Sequence, residues 1–141
     1  MLPMDVPLAV LADAANVSRE GKLNIFGIFN QLWSQAFPAH HPQMQLVMVL
    51  EAPGVEAGQQ KKIDIVLQDA DGNKIMTING KLLVPQPKVA GKRIRINHIL
   101  PLPGTPVPKA GDYEFIIMIN GETKAQVPYS VANIPHDAKT Q

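Results

Sequence analysis

The chain has 141 residues, 45% hydrophobic and 5% aromatic, with a formal net charge of +1 and no cysteine. That length supports one domain with a substantial core and not two of ordinary size. The near-neutral charge lacks the clustered excess of a dedicated nucleic-acid binder, and the missing cysteines exclude disulfides, thiolate metal sites and a cysteine nucleophile.

Pro7 to Ala14 mimics a signal peptide, but Asp5 stands where a basic segment belongs. The apolar run is also too short for a secretory h-region or a membrane span. The expectation is a cytoplasmic chain with no membrane partner. Leu8 to Ala14 reads as a strand, Asn16 to Gly21 as a polar loop and Lys22 to Leu32 as a second strand. Leu23, Ile25, Gly27 and Phe29 share one face of that strand, yet Phe26 and Ile28 on the other are apolar too, so both faces need cover. Trp33 to Pro42, with two prolines and no period, reads as an irregular crossing. Asn16-Val17-Ser18 matches a glycosylation sequon that has no meaning without secretion.

Strands follow at Gln43 to Glu51 and at Lys61 to Gln68, and the turn Asp69 to Asn73 leads into a strand from Lys74 to Val84. The linker Pro85 to Gly91 interrupts the pattern, because proline cannot donate to a ladder. Lys92 to Leu100 alternates Ile94, Ile96 and His98 against Arg93, Arg95 and Asn97. A second proline-rich crossing, Pro101 to Pro108, leads to the final hairpin, and a polar tail begins near Asn133.

In that hairpin Tyr113, Phe115, Ile117 and Ile119 alternate onto one face, as do Thr123, Ala125, Val127, Tyr129 and Val131. A two-residue Asn120-Gly121 loop would set Ile119 opposite Glu122 and mix apolar with polar faces. A three-residue loop, Ile119 to Gly121 with Gly121 left-handed, is expected instead, placing Ile117 opposite Thr123 and Phe115 opposite Ala125. Tyr113, at a strand start after a proline-rich crossing, resembles a tyrosine corner.

About eight strands, no helix and no repeat point to one all-β domain over residues 1–141. An immunoglobulin-like Greek-key sandwich is the first choice and a C2-like or jelly-roll sandwich the second.

Chemistry is sparse. Asp69-Ala70-Asp71-Gly72-Asn73 opens like a calcium loop, but Lys74 and Gly80 occupy the places that need glycine and a bidentate glutamate. It reads as a turn with Gly72 at positive φ. His40, His41, His98 and His136 show no zinc-ligand pattern, and His98 continues an apolar face. Ser18, Ser34 and Ser130 sit in no nucleophile motif. Lys92, Arg93 and Arg95 read as a solvated strand face. No catalytic, metal or cofactor site is expected, and no nucleic-acid partner.

Taken in order, Leu11-Ala12-Asp13-Ala14-Ala15, Gly21-Lys22-Leu23-Asn24-Ile25-Phe26-Gly27, Phe37-Pro38-Ala39, Asp69-Ala70-Asp71-Gly72, Gly111-Asp112-Tyr113 and Asn120-Gly121-Glu122 are similar to a family of small bacterial proteins known only as a domain of unknown function. The resemblance spans most of the chain and is weakest from Pro85 to Pro108. It implies a bacterial or phage source and a single β-sandwich, and brings no activity, cofactor or catalytic residue.

The expected role is a non-enzymatic interaction or structural module, such as a subunit of a bacterial or phage assembly. The alternative is a small-molecule or ion-binding domain, or a hydrolase, in which Asp13, His40, His41, Asp69 or Asp71 converge in one cleft. Strands apolar on both faces leave Phe26, Ile28, Val47, Val49, Ile116 and Met118 in need of cover, so a homo-oligomer is expected, most simply a two-fold dimer.

Overall fold

Alternation of apolar and polar side chains resolves into eleven strands in the computed structural model, which describes residues 3–41 and 43–134. They are β1 (Asp5–Val17), β2 (Leu23–Phe29), β3 (Gln31–Ser34), β4 (Ala39–His41), β5 (Gln45–Ala52), β6 (Gln60–Asp69), β7 (Lys74–Leu83), β8 (Ile94–Pro101), β9 (Thr105–Val107), β10 (Gly111–Ile119) and β11 (Glu122–Asn133). A 3-10 turn, Gly54–Glu56, is the only helical element among the described residues. His136 and the tail beyond Ile134 lie outside them, as does Pro42.

One sheet has the order β2-β1-β5-β8 and the other β3-β11-β10-β6-β7. β1, β5 and β8 occupy the places of strands A, B and E of an immunoglobulin-like sandwich. β6, β10 and β11 occupy those of C, F and G, with β7 added beside C. The Greek-key sandwich is therefore the fold. Three strands exceed the eight expected. The span from Lys22 to Leu32 breaks at Asn30, where β3 leaves the first sheet to run parallel to β11 in the second. The two proline-rich crossings are not wholly irregular, because β4 and β9 pair with each other, His40 opposite Pro106.

The core between the sheets is aliphatic and methionine-rich, as a chain with few aromatics requires: Leu11, Met44, Leu46, Met48, Leu50, Leu67 and Ile117 are fully buried around Phe115. Burying each such side chain contributes about 1.5–3 kcal/mol.

The final hairpin corrects the expected register. Asn120 (φ 50°) and Gly121 (φ 81°) form a two-residue loop with Ile119 opposite Glu122, both at the positive φ that an I′ turn demands. The apolar faces are then brought back into phase by a bulge: Met118 faces Thr123 but Ile117 faces Ala125, leaving Lys124 as the extra residue. Ile117 is thus opposite Ala125 rather than Thr123, and Phe115 opposite Val127 rather than Ala125. Gly121 is left-handed as expected.

The tyrosine corner is present. The Tyr113 hydroxyl donates to the Lys109 carbonyl and accepts from the Lys109 amide at 3.2 Å. It fastens the start of β10 to the crossing before it.

Candidate functional site

A broad concavity lies on the outer face of the β2-β1-β5-β8 sheet. β1 outruns its partner: its last pair with β5 is Ala12 opposite Gln45, yet the β1–β2 hairpin continues to a turn at Ser18 to Lys22. That turn does not project into solvent. The Asn97 side-chain amide donates to the Gly21 carbonyl at 3.3 Å, and Asn97 faces Val49 midway along β8, the strand at the sheet's far edge. The hairpin therefore arches back over the outer face. Gly27 marks the bend: it has φ 70°, and a Cβ there would come within 2.4 Å of the Asp13 carboxylate.

This arm accounts for two of the expected interface residues. Val47 and Val49 are fully buried, with no exposed surface, and at Val49 the chain's own hairpin and the Pro85 to Lys92 crossing stand over this face. They need no partner, and their assignment to an interface is corrected. Phe26 and Ile28, on the hairpin's other side, are 54% and 62% exposed. Ile116 and Met118 are half-buried on the outer face of β10.

Between arm, crossing and sheet is a groove of about 820 Å³. Leu8, Leu23 and Ile25 supply its accessible apolar lining, with Val49 buried beneath them, and Lys22, Lys88, Lys92, Arg93 and Arg95 its charge. The fold assembles these cations from three places: the hairpin turn, the crossing and β8. Arg95 lies 3.3 Å from Glu51, and Arg93 lies 3.5 Å from Asp5 and 3.7 Å from Glu51. These partly exposed pairs orient the two guanidinium groups more than they stabilise the fold. Lys92, Arg93 and Arg95 were legible as a basic cluster, but nothing local in the sequence joins Lys22 and Lys88 to them.

The residues proposed for a loop site are dispersed. Asp13 packs against Gly27 in the arm, and His40 lines a small hollow with Trp33 and Val107. His41 ends β4. Asp69 and Asp71 border a third hollow, beside Lys109 and Asp112. The Asp69 carboxylate is occupied by its own turn, accepting from the amides of Asn73 at 2.9 Å and Asp71 at 3.0 Å and from the Asn73 side chain at 3.2 Å. Those bonds, the Asn73 amide foremost, hold its pKa below the ordinary value. Gly72, at φ 84°, completes a structural turn.

Two serines are likewise engaged locally. Ser18 accepts from the Lys22 amide at 3.1 Å, and Ser34 donates to the Ala36 carbonyl at 2.9 Å. His98 lies half-buried opposite Met48, and burial lowers its pKa. No group of three or more potential metal-ligating side chains occurs among the described residues, and no helix among them is long and apolar enough to cross a membrane.

No curated protein matches the chain. Its fold resembles part of the solved structure of Pseudomonas fluorescens alkylpurine DNA glycosylase AlkC bound to DNA containing an abasic site analog, with a TM-score of 0.52 and 11% sequence identity. The match covers 93% of this chain and 31% of that one, so the chain spans less than a third of that protein's length. At such identity the likeness is one of fold alone. A family model matches residues 7–132, and the chain belongs to that family, DUF6941, a family of unknown function.

Proposed function

We propose that the chain is a non-enzymatic interaction module, a subunit of a bacterial or phage assembly in the cytoplasm, and that it self-associates. The observation that carries this reading is the apolar pair Phe26 and Ile28, adjacent on an edge strand and more than half exposed. Opposite them on β1 stand only Ala14 and Ala12, too small to shield either side chain. A second copy meeting this surface about a two-fold axis would remove both from water. Ile116 and Met118 offer a second, less exposed strip on the other sheet. The separation of Asp13 and His40 from each other and from the Asp69–Asp71 turn argues against the loop-site alternative.

Light scattering of the purified protein at tens of micromolar tests the proposal. A dimer or larger species is expected, reduced to monomer by Phe26→Lys/Ile28→Lys and less affected by Ile116→Lys/Met118→Lys. A wild-type monomer under those conditions overturns self-association.

A further inference from the structure

The groove on the outer face of the β2-β1-β5-β8 sheet gathers five of the chain's 13 lysines and arginines, and among the described residues no acidic side chain lines it. Elsewhere the balance is reversed, with eight cations (13 − 5) against 12 carboxylates. Cations gathered in a concavity with low-dielectric walls focus their field and raise the local concentration of anions. Arg93 and Arg95 are partly matched by Asp5 and Glu51. Lys22, Lys88 and Lys92 form no ion pair among the described residues, so an anion meets three uncommitted ammonium groups.

The apolar part of the lining selects among anions. A single-stranded nucleic acid would find cations for its phosphates but, among the described residues, no aromatic ring on which to stack its bases, because the non-polar lining is aliphatic, with Leu8, Leu23, Ile25 and Val89 reaching the surface. An extended polypeptide fits both components, since its side chains alternate direction and can send carboxylates to the cations and aliphatic groups to the floor. Arg93, the residue just before β8, and Arg95, on it, stand two residues apart and both line the groove, the spacing at which alternate residues of an extended partner recur. We infer that this groove binds an extended acidic segment of a partner protein, in which aspartate or glutamate alternates with aliphatic residues.

Fluorescence anisotropy with an octapeptide of alternating glutamate and valine tests the inference. A lysine–valine octapeptide and a single-stranded oligonucleotide serve as comparisons. The acidic peptide should bind, and should weaken about tenfold or more in Lys88→Glu/Lys92→Glu and on raising salt, as rim charges dictate. Lys88 and Lys92 are exposed, so an unchanged Tm should accompany that loss. Absence of binding by the acidic peptide, equal binding by its lysine counterpart, indifference to the charge reversal or tighter binding by the oligonucleotide would each overturn it. A monomeric result in light scattering would leave it standing, since the groove shares no residue with the Phe26–Ile28 patch.

Discussion

Tyr113 and Tyr129 face each other across the β10–β11 ladder with ring centroids 5.5 Å apart. The Tyr113 hydroxyl bonds to Lys109, whereas that of Tyr129 is buried with no hydrogen-bond partner among the described residues. Burial, and secondarily the neighbouring Tyr113, holds the Tyr129 phenol above the usual tyrosine range. Removing the two hydroxyls should have opposite effects. Tyr113→Phe leaves backbone groups unpaired and should cost about 1–2 kcal/mol, while Tyr129→Phe removes a buried polar group and should be neutral or stabilise by up to about 1 kcal/mol. Urea unfolding of the two variants decides the sign; equal losses would contradict the asymmetry.

Gly27 is held by two constraints, its left-handed backbone and the Asp13 carboxylate where a Cβ would go. Gly27→Ala should cost about 1–2 kcal/mol or more. Asp13→Ala in the same chain should recover the steric part and leave the backbone part, which a double-mutant cycle separates. Gly121 has open space around it, so Gly121→Val should lose only the backbone component, about 1 kcal/mol or more, with no rescue by neighbouring substitutions.

His98 makes stability depend on pH. Burial lowers its folded pKa from 6.5, so the unfolded chain binds the proton more readily and stability rises with pH. The contribution is fully present above the unfolded value and falls away as pH drops from there toward the folded pKa. Unfolding curves from about pH 7.5 to 5, compared between wild type and His98→Leu, should show this component only in wild type. Identical profiles would rule it out.

Lys61 and Glu56 form an ion pair of 2.9 Å with side chains only 10% and 12% exposed. Removing one partner leaves an uncompensated charge in a poorly hydrated place. Glu56→Ala should therefore cost about 3–5 kcal/mol, while Glu56→Leu/Lys61→Met should restore most of it. A double variant as unstable as the single one would show that the pair is needed for more than mutual neutralisation.

What alternation reveals is the face of a residue, not its partner. The expected Ile117–Thr123 pairing and the observed Ile117–Ala125 pairing differ by two residues, so both place Ile117 on the same side, and the I′ turn with its bulge leaves the pattern unchanged. The sandwich, its core and the tyrosine corner were legible for that reason. Val47 and Val49 were rightly marked as needing cover on a second face, but the cover comes from a hairpin whose return depends on a bend at Gly27 that no periodicity signals. The groove was invisible because Lys22 and Lys88 join β8 only after the arm has folded back.

The parallel pairing of β3 with β11 has a consequence for the order of events during synthesis. Gln31 to Ser34 emerges early, yet among the described residues its only ladder partner is β11, about 100 residues later. Until then Leu32 and Trp33 have no backbone to pair with, and β10 lacks one neighbour as well. Pairing between such remote segments slows folding, and unpaired edges in a growing chain are open to the wrong strand. The second sheet therefore stays incomplete until β11 is made, because both β3 and β10 wait for that one strand.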